Sequence, residues 1–389
     1  MKKIQLILTL TIFSFNNNCF SQDCNSLPAD QADFCWSKKF LANSPLHEVF
    51  DNSFLNYNTG INDYYPKGED VPWGGYYMPL KNGGISTRWK ISKTAHPKTA
   101  TILKWEQVRQ MSLEEIAKLS PSEKMDIYMG NQDFAITKNE LKRRGPEREN
   151  VQNWEGFCNG IRLAGAIFPE PKHDILVKSK SGEEIYITFY PADLKALGGA
   201  VYYYTEFYSS LGDNNKRKPN AGYFDILLRY ALGNQKRPFF LDINPSEQKW
   251  NETVVGYKRE LLNERVNSNS DNAPIGTAKV ISVRTTLYLL GEVFYEQANK
   301  LTQPLIENKE LVSSWITNYN LFVNVDNEII SGQFVKFDTT TSHQILEYPD
   351  YVWFGGGKGT DELVVGSRND NNVLLSFFEV QNLFYISIK

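Results

Sequence analysis

The apolar and polar positions of this chain change their period along its length, which predicts a mixture of helices and strands. Phe224, Leu227, Leu228 and Ala231 recur at helical spacing and are followed by Gly233, a pattern typical of a helix that ends at a glycine. Runs that alternate or stay apolar, as strands do, cover residues 185–189, 237–243, 279–283, 321–325 and 373–389. The order of these segments predicts an α+β fold.

Capping residues predict where several helices begin. Ser120 is followed by a proline at the first helical position and by Glu123 three residues later, which is the capping-box pattern. Ser112 and Thr137 are each followed by a glutamate at the same distance. A further helix is predicted over residues 192–208, where a proline precedes a run rich in alanine, leucine and tyrosine.

The amino terminus has the pattern of an export signal. Lys2 and Lys3 precede a mostly apolar run from Ile4 to Phe15, and the small residue Ser21 follows where a signal peptidase would cut. A lipoprotein signal needs a cysteine directly after small residues, whereas Cys19 follows three asparagines. No later stretch reaches the roughly 18 apolar residues of a spanning helix. These features predict a secreted or periplasmic protein without a membrane span.

The composition agrees with a globular chain that can bury a core. Of the 389 residues, 41% are hydrophobic and 13% aromatic, and the formal net charge is −3. The sequence has no basic stripe of the kind that binds the phosphate backbone. Nucleic acid is therefore not expected as a partner.

The cysteines supply the first chemical signal. Removal of the signal peptide would discard Cys19 and leave Cys24, Cys35 and Cys158 in an exported chain. Cys24 and Cys35 lie close together among loop-like residues, so we predict a disulfide between them. Cys158 then has no partner, which indicates either a reactive thiol or a buried, inert core cysteine.

The surroundings of Cys158 favour reactivity. Residues 153–171 are predicted to form a glycine-containing turn and then a short helix that begins at about Cys158 and ends before Pro169. The partial positive charge at a helix N-terminus favours the thiolate over the thiol, and the thiolate is the nucleophile. Cys158 is therefore the candidate catalytic residue.

Motifs in a shared order carry a resemblance to a known family. In chain order they are Leu119-Ser-Pro-Ser-Glu-Lys, Trp154-x-Gly156-x-Cys158-x-Gly160 with Pro169-Glu-Pro171, Phe189-Tyr-Pro-Ala-Asp-Leu-Lys-Ala-Leu, Trp250-Asn251 with Val255-Gly-Tyr257, and Tyr348-Pro-Asp-Tyr-Val-Trp353. In these patches the chain resembles the transglutaminase elicitor family of oomycetes and some bacteria. The resemblance implies a papain-like core whose Cys-His-Asp triad joins glutamine side chains to amines.

The resemblance also implies a division of the chain. We predict a signal peptide over 1–21, a loop-rich amino-terminal segment over 22–104 that wraps the core, a transglutaminase-like core over 105–275 and a β-rich carboxy-terminal extension over 276–389. The expected partners are glutamine and lysine side chains of proteins or peptides. No cofactor is expected, and no Cys/His cluster has metal-ligand spacing.

The triad implied by the family has one substitution. Cys158 matches the nucleophile, and Asp242 matches the acid that orients the histidine. The family's histidine stands at the head of a helix in a pattern that here is Asn220-Ala-Gly-Tyr-Phe-Asp225, so Asp225 takes its place. A carboxylate is already negative at neutral pH and disfavours a neighbouring thiolate. The same motifs contribute Trp154, Asn159 and Trp250 as candidates for a substrate groove.

One of the four histidines could replace the missing base. His173 is nearest in sequence, but it follows the far end of the helix that Cys158 begins, about 15 Å away. His47 and His96 precede the predicted core, and His343 lies in the β-rich part. Each is interpreted as a surface or core-edge residue unless the fold brings it to the thiol.

Three hypotheses for the function remain open. The first is a cysteine-dependent aminoacyltransferase or amidase that is impaired by Asp225 but works through a rescued or altered triad. The second is an inactive member, a pseudoenzyme that binds protein or peptide surfaces. The third is a structural protein in which Cys158 is inert. A general base typically contributes about 10²–10⁴-fold to a rate. A measurement of the remaining activity therefore separates the first two hypotheses.

Overall fold

The computed structural model describes residues 34–35, 51–89, 98–143, 145–147, 149–203, 208–211, 219–243, 250–268, 273–336, 344–354 and 375–389. The predicted signal peptide and Cys24 lie outside these ranges, so the signal and the Cys24–Cys35 disulfide stay predictions. Every helix within the described ranges is too short or too polar to cross a membrane.

Most of the helices lie between residues 105 and 227. They are α1 (Trp105–Val108), α2 (Leu113–Ala117), α3 (Pro121–Met129), α4 (Ala135–Arg143), α5 (Cys158–Ile167), α6 (Pro191–Tyr203), α7 (Ala221–Leu227), α8 (Gln303–Glu307) and α9 (Phe377–Ser387). A π-helical segment, Leu228–Asn234, continues α7. Single 3₁₀ turns lie at Asn52–Leu55, Gly68–Asp70, Leu80–Asn82, Gly84–Ser86 and Tyr295–Gln297.

The strands alternate with the helices and confirm a mixed helix and strand architecture. They are β1 (Asp63–Tyr64), β2 (Thr87–Arg88), β3 (Lys98–Thr99), β4 (Ile175–Lys178), β5 (Tyr186–Phe189), β6 (Tyr208–Leu211), β7 (Phe239–Asp242), β8 (Asn251–Val266), β9 (Lys279–Leu290), β10 (Val312–Val323), β11 (Ile329–Phe334), β12 (Gln344–Ile345) and β13 (Tyr351–Phe354).

Within the described ranges, nine of these strands form one large sheet. Its order is β11-β10-β9-β8-β7-β13-β6, with β1 added to β8 and β12 added to β10. Strands β8 and β9 pair along most of their length, although the boundary predicted at residue 276 falls between them. The predicted core and the predicted carboxy-terminal extension therefore share one sheet, and the division into separate parts stays a prediction.

Local capping explains where two of the predicted helices begin. Ser120 and Ser112 each accept from the N–H three residues later, and the glutamate there accepts from the N–H of the serine. Thr137 does not begin a helix, because it lies inside α4. The buried Asp126 carboxylate accepts instead from the N–H groups of Ile136 and Thr137, at 3.0 and 2.8 Å. The capping box predicted at Thr137 is wrong because this distant carboxylate replaces it.

The end of the chain differs from the predicted strand. Residues 377–387 form helix α9, whose Ser376 hydroxyl accepts from the N–H of Glu379. The buried residues Phe377, Val380, Leu383, Phe384 and Ser387 fall at helical spacing. Strand-forming residue types are helical here because this face packs on α6. Helix α6 itself ends at Tyr203, so the helix predicted over 192–208 is too long and Tyr208 begins β6.

Two buried clusters organise the molecule. The first joins the helices α3, α5, α6 and α9, and it includes Trp73, whose Nε1–H donates to the Phe168 carbonyl oxygen at 2.8 Å. The second joins α7 to the large sheet through residues such as Phe224 and Tyr319. Cys158 belongs to a helix of the first cluster, and Asp225 lies in the helix of the second.

Candidate active site

Cys158 is the first residue of α5, as the sequence predicts. The turn before it is fixed by Tyr77, whose carbonyl oxygen accepts from the N–H of Phe157 at 2.6 Å. Gly156 is required in this turn, since a Cβ there would lie 2.3 Å from Cδ2 of Tyr77. The sulfur is therefore held at a defined place at the helix N-terminus.

The Cys158 helix lies very close to α6. A Cβ at Gly160 would lie 2.0 Å from the carbonyl oxygen of Gly199, and one at Gly199 would lie 2.5 Å from Cδ1 of Ile161. The phenyl ring of Phe157 meets the ring of Tyr203 edge to face, with centroids 5.0 Å apart. Two glycines thus allow the contact that supports the first turn of α5, because no other residue fits there.

The neighbour of the sulfur is the side chain of Asn251, the first residue of β8. Its Nδ2 lies 3.7 Å from Sγ of Cys158. Its Oδ1 accepts from the Tyr351 hydroxyl at 2.7 Å and from Nε1 of Trp353 at 2.8 Å. An indole N–H can only donate, so the atom that faces Trp353 must be the oxygen. The amide group therefore turns its NH₂ toward the sulfur.

The backbone of the sheet brings these residues to one level. Asp242 at the end of β7 pairs with Asn251 of β8 on one side and with Tyr351 of β13 on the other. Arg162, one turn along α5 from Cys158, donates from Nε to the Asn251 carbonyl oxygen at 3.0 Å. Helix α5 is thus bound to the same end of the sheet that presents Asn251.

Removal of the Cys158 sulfur from water raises the pKa of its thiol above the usual 9.0. The hydrogen bond from Asn251 and the charge of Arg162 lower this pKa, whereas the charge of Glu292 raises it further, and the net direction is upward. A thiol with a raised pKa is almost entirely protonated at neutral pH. Because the thiolate is the nucleophile, the unassisted Cys158 is a weak one.

Asp225 is engaged elsewhere. It is fully buried, and its two oxygens accept from Nε of Arg229 at 2.8 Å, from Nε of Arg259 at 2.6 Å and from the Tyr319 hydroxyl at 2.8 Å. Burial tends to raise the pKa of this carboxyl, but the two guanidinium groups outweigh it and hold the pKa below 3.8. At neutral pH Asp225 is an ionised partner of two buried cations.

The structure does not bring Asp225 to Cys158. Cys158 contacts Asn251 and is influenced by the charges of Arg162 and Glu292, whereas the partners of Asp225 are Arg229, Arg259 and Tyr319. Both oxygens of Asp225 are already occupied by strong donors. The place beside the thiol, where a triad needs its base, is taken by Asn251.

Known proteins share features of this sequence and fold. The sequence model of the transglutaminase elicitor family matches residues 203–389, which include Asp225, Asp242 and Asn251. Over these residues the chain is similar to the transglutaminase elicitor family. Cys158 precedes the matched segment, and its role as a nucleophile stays a prediction.

A solved structure has a similar fold. The chain is similar to the crystal structure of the GP42 transglutaminase from Phytophthora sojae, with a TM-score of 0.60 at 17% identity. The similarity covers 86% of this chain and 96% of that one. None of the curated proteins matches the sequence. At this identity the likeness concerns the fold.

The other predicted site residues are Trp154 and Asn159, which lie near Cys158 in sequence, and Asp242 and Trp250, which lie at the end of β7 and directly before β8. Asp242 is fully buried and adds to the rise in the pKa of Tyr351 and of Glu252. Trp154 is half-buried in the turn before Cys158, and Trp250 directly precedes Asn251. Asn159 donates from Nδ2 to the Tyr203 carbonyl oxygen at 3.4 Å. Their roles in a groove stay predictions.

Histidine is not found beside the thiol in the part of the chain that the structure describes. His173 is exposed, and its N–H donates to the Ser387 carbonyl oxygen at 3.2 Å, beyond the carboxy-terminal end of α5. His47, His96 and His343 lie outside the described residues. No described imidazole replaces the base.

Four site residues were not singled out by the sequence. Asn251 lies in the motif that begins at Trp250, and the motif alone assigns it no role. Arg162 follows Cys158 by four residues and therefore lies on the same helix face, which is a signal that the sequence offers. Glu252 and Glu292 reach the site through sheet pairing and the loop after β9, which no local pattern predicts.

Proposed function

We propose that this transglutaminase-like protein binds glutamine side chains of other proteins at Cys158 and transfers them to amines slowly or not at all. The observation that carries the proposal is the contact of Asn251 Nδ2 with the sulfur, in an amide that Tyr351 and Trp353 hold in one orientation. Secretion, the papain-like core and the Cys24–Cys35 disulfide belong to the same proposal.

The chemistry explains why Asn251 matters. In acyl transfer of this type a thiolate attacks the carboxamide carbon, ammonia leaves, and an amine then displaces the sulfur from the thioester. The first step needs a base to remove the thiol proton and an acid to protonate the departing ammonia. A carboxamide has no basic nitrogen at neutral pH. Asn251 can donate a hydrogen bond to the sulfur but cannot take its proton.

Asp225 impairs the site only indirectly in this proposal. A histidine in place of Asp225 would leave the buried Arg229 and Arg259 side chains of this chain without their counter-ion. We therefore attribute the loss of the base to the residue that contacts the sulfur. Asp242 keeps the role of a buried acid behind Asn251 and Tyr351, which it contacts through strand pairing.

A second candidate function is favoured by Glu252. Burial raises the pKa of this carboxyl from 4.5 to about 7, a change that Glu292 and Asp242 reinforce and Arg162 opposes. A carboxylate with a pKa near the working pH is suited to general base catalysis. In this alternative the protein is an active acyltransferase whose rate rises through about pH 7 and is lost in Glu252→Gln.

The test is amine incorporation into a glutamine-rich protein by the purified mature chain. We expect wild type to incorporate no more amine than Cys158→Ala, because the thiol stays protonated. Binding of a labelled glutamine peptide should persist in both proteins and should be weaker for the same peptide with glutamate. Cys158-dependent incorporation would favour the second candidate, and equal binding of the two peptides would contradict the proposed binding function.

A further inference from the structure

A surface groove lies between the helices α1 and α2 and the hairpin formed by β4 and β5. Its volume is about 340 Å³, which falls within the range of about 300–1,000 Å³ that is typical of binding pockets. Seven of the nine residues that line it are apolar, and all nine differ from the residues of the Cys158 site described above. The groove is therefore a second, separate site.

The hairpin turns apolar side chains outward along one wall of the groove. Leu176 pairs with Thr188, and Lys178 pairs with Tyr186; paired residues point to the same face of a sheet. A strand pair with one buried face normally carries polar side chains on the other face. Leu176 and Tyr186 depart from this pattern, since they are 57% and 42% exposed.

Helix α2 supplies the opposite apolar wall. Its first residue, Leu113, lines the groove and is 46% exposed. Buried apolar side chains lie between the two walls and form the base of the groove. They are Val108, Ile116 and Ile185. Exposed apolar side chains are normal when they are scattered, whereas a cluster of them around a concave base indicates an interaction surface.

Ion pairs border the groove on both sides. Arg109, at the end of α1, donates from Nε and Nη2 to the two carboxylate oxygens of Glu183, both at 2.8 Å. The other pairs are Lys178 with Glu184 in the hairpin and Lys118 with Glu114 at α2. An apolar centre with a charged border is the usual arrangement of a protein interface.

The border carries more negative than positive charge. Glu106 and Glu115 are exposed and precede Arg109 and Lys118 by three residues, which places each glutamate on the same helix face as the cation. Five glutamates thus stand against three cations. The charges next along the chain are Lys104 and Asp174, one of each sign. The surplus is two negative charges.

This charge distribution restricts what can cover the groove. An anionic ligand or membrane surface would be repelled by the border. A second copy of this chain seated on the same face would bring two acidic borders together, which costs free energy. The glutamates lie on α1, on α2 and on the hairpin, so a partner needs positive charges on more than one side of its apolar part.

We infer that the groove binds a segment of another protein in which apolar side chains are flanked by lysine or arginine residues. The apolar side chains cover Ile116 and Ile185 between the walls, and the flanking cations meet the surplus carboxylates. This binding goes beyond the proposed function, because it uses neither Cys158 nor the residues around it.

The experiment measures binding of the fluorescein-labelled peptide Lys-Lys-Leu-Phe-Leu-Lys-Lys to the full mature chain by anisotropy. Replacing its apolar residues with serine, or its lysines with glutamate, should weaken binding at least about 10-fold. Leu176→Glu should weaken binding of the original peptide by about the same factor. Leu262→Glu is the matched control, because Leu262 is 49% exposed in β8 and lies outside the groove.

The surplus charge is tested separately by the double change Glu106→Gln with Glu115→Gln. Glutamine keeps the capping box of α2, so this variant removes two charges and retains the helix start. Binding of the peptide should weaken about 3- to 10-fold at low salt. The difference from wild type should vanish at about 1 M salt, where surface charges are screened.

The outcomes decide what occupies the groove. Binding that is lost in Leu176→Glu and kept in Leu262→Glu, with preference for the lysine peptide, supports the inference. Binding that survives Leu176→Glu, a wild type that does not bind the peptide, or equal binding of the lysine and glutamate peptides would overturn it. A dimer seen by sedimentation in wild type and lost in Leu176→Glu would also overturn it, and would assign the groove to a second copy.

Discussion

Replacing Asn251 with histidine should raise the rate at which iodoacetamide alkylates Cys158 at neutral pH by about 10- to 100-fold. An imidazole at this place can take the thiol proton and then stabilise the thiolate as an ion pair. The thiolate fraction would rise from a small value to nearly all of the protein. Part of the gain is offset, because a thiolate of lower pKa is intrinsically less nucleophilic.

The neighbours of Asn251 decide how well the histidine is accepted. The Tyr351 hydroxyl can rotate to accept from an imidazolium, whereas Nε1 of Trp353 can only donate. We therefore expect the double change Asn251→His with Trp353→Phe to give a larger rise than Asn251→His alone. Asn251→Ala serves as the control, since it removes the amide without adding a base.

Asp225→His is the informative comparison for this prediction. The alignment of motifs puts the family histidine at residue 225, but the structure puts that residue among Arg229, Arg259 and Tyr319. We expect no rise in alkylation from Asp225→His. A rise at residue 225, or none in a folded Asn251→His protein, would contradict the assignment of the missing base to residue 251.

Replacing Asp225 with asparagine should lower the free energy of unfolding by about 3–5 kcal/mol. The change keeps the shape of the side chain but leaves the buried guanidinium groups of Arg229 and Arg259 without a counter-ion. Urea denaturation of wild type and variant, compared at equal slope, measures the loss. Glu183→Gln is the matched control, because its partner Arg109 is about half exposed and exposed pairs contribute at most about 1 kcal/mol.

The pH dependence gives a second test of the Asp225 cluster. The pKa of Asp225 is lowered in the folded protein from its ordinary 3.8, so its contribution to stability is present above that value. The contribution is lost as the pH falls through the lower, folded pKa. The difference between wild type and Asp225→Asn should therefore shrink in acid. A loss below about 1 kcal/mol at neutral pH would show that the cluster is not a determinant of stability.

The sequence predicted best what short-range chemistry determines. Helices α3 and α5 begin where the capping serine and the glycine-containing turn indicate, and Cys158 is the first residue of its helix. Helix α9 was interpreted as a strand because its phenylalanine, valine and isoleucine favour strands. Its helical conformation depends on packing against α6, where Phe384 contacts Gly198, and no local pattern reports that contact.

The sequence predicts only the part of the candidate site that lies at the start of helix α5. The partner of the sulfur is set by the register of three strands, in which Asp242 pairs with both Asn251 and Tyr351. These residues are far apart in sequence, so spacing gives no indication of their contact. The sequence does carry a signal for the surroundings of Asp225, because Arg229 follows it by four residues, which is a frequent spacing for ion pairs on a helix.

The central claim is that Cys158 faces an amide and stays a thiol at neutral pH. Titration of its thiolate by ultraviolet absorbance, with Cys158→Ala subtracted, measures this directly in the wild-type chain. We predict a midpoint above the ordinary 9.0. A midpoint below about 7, the range of thiols activated by a histidine or another cation, would contradict the claim.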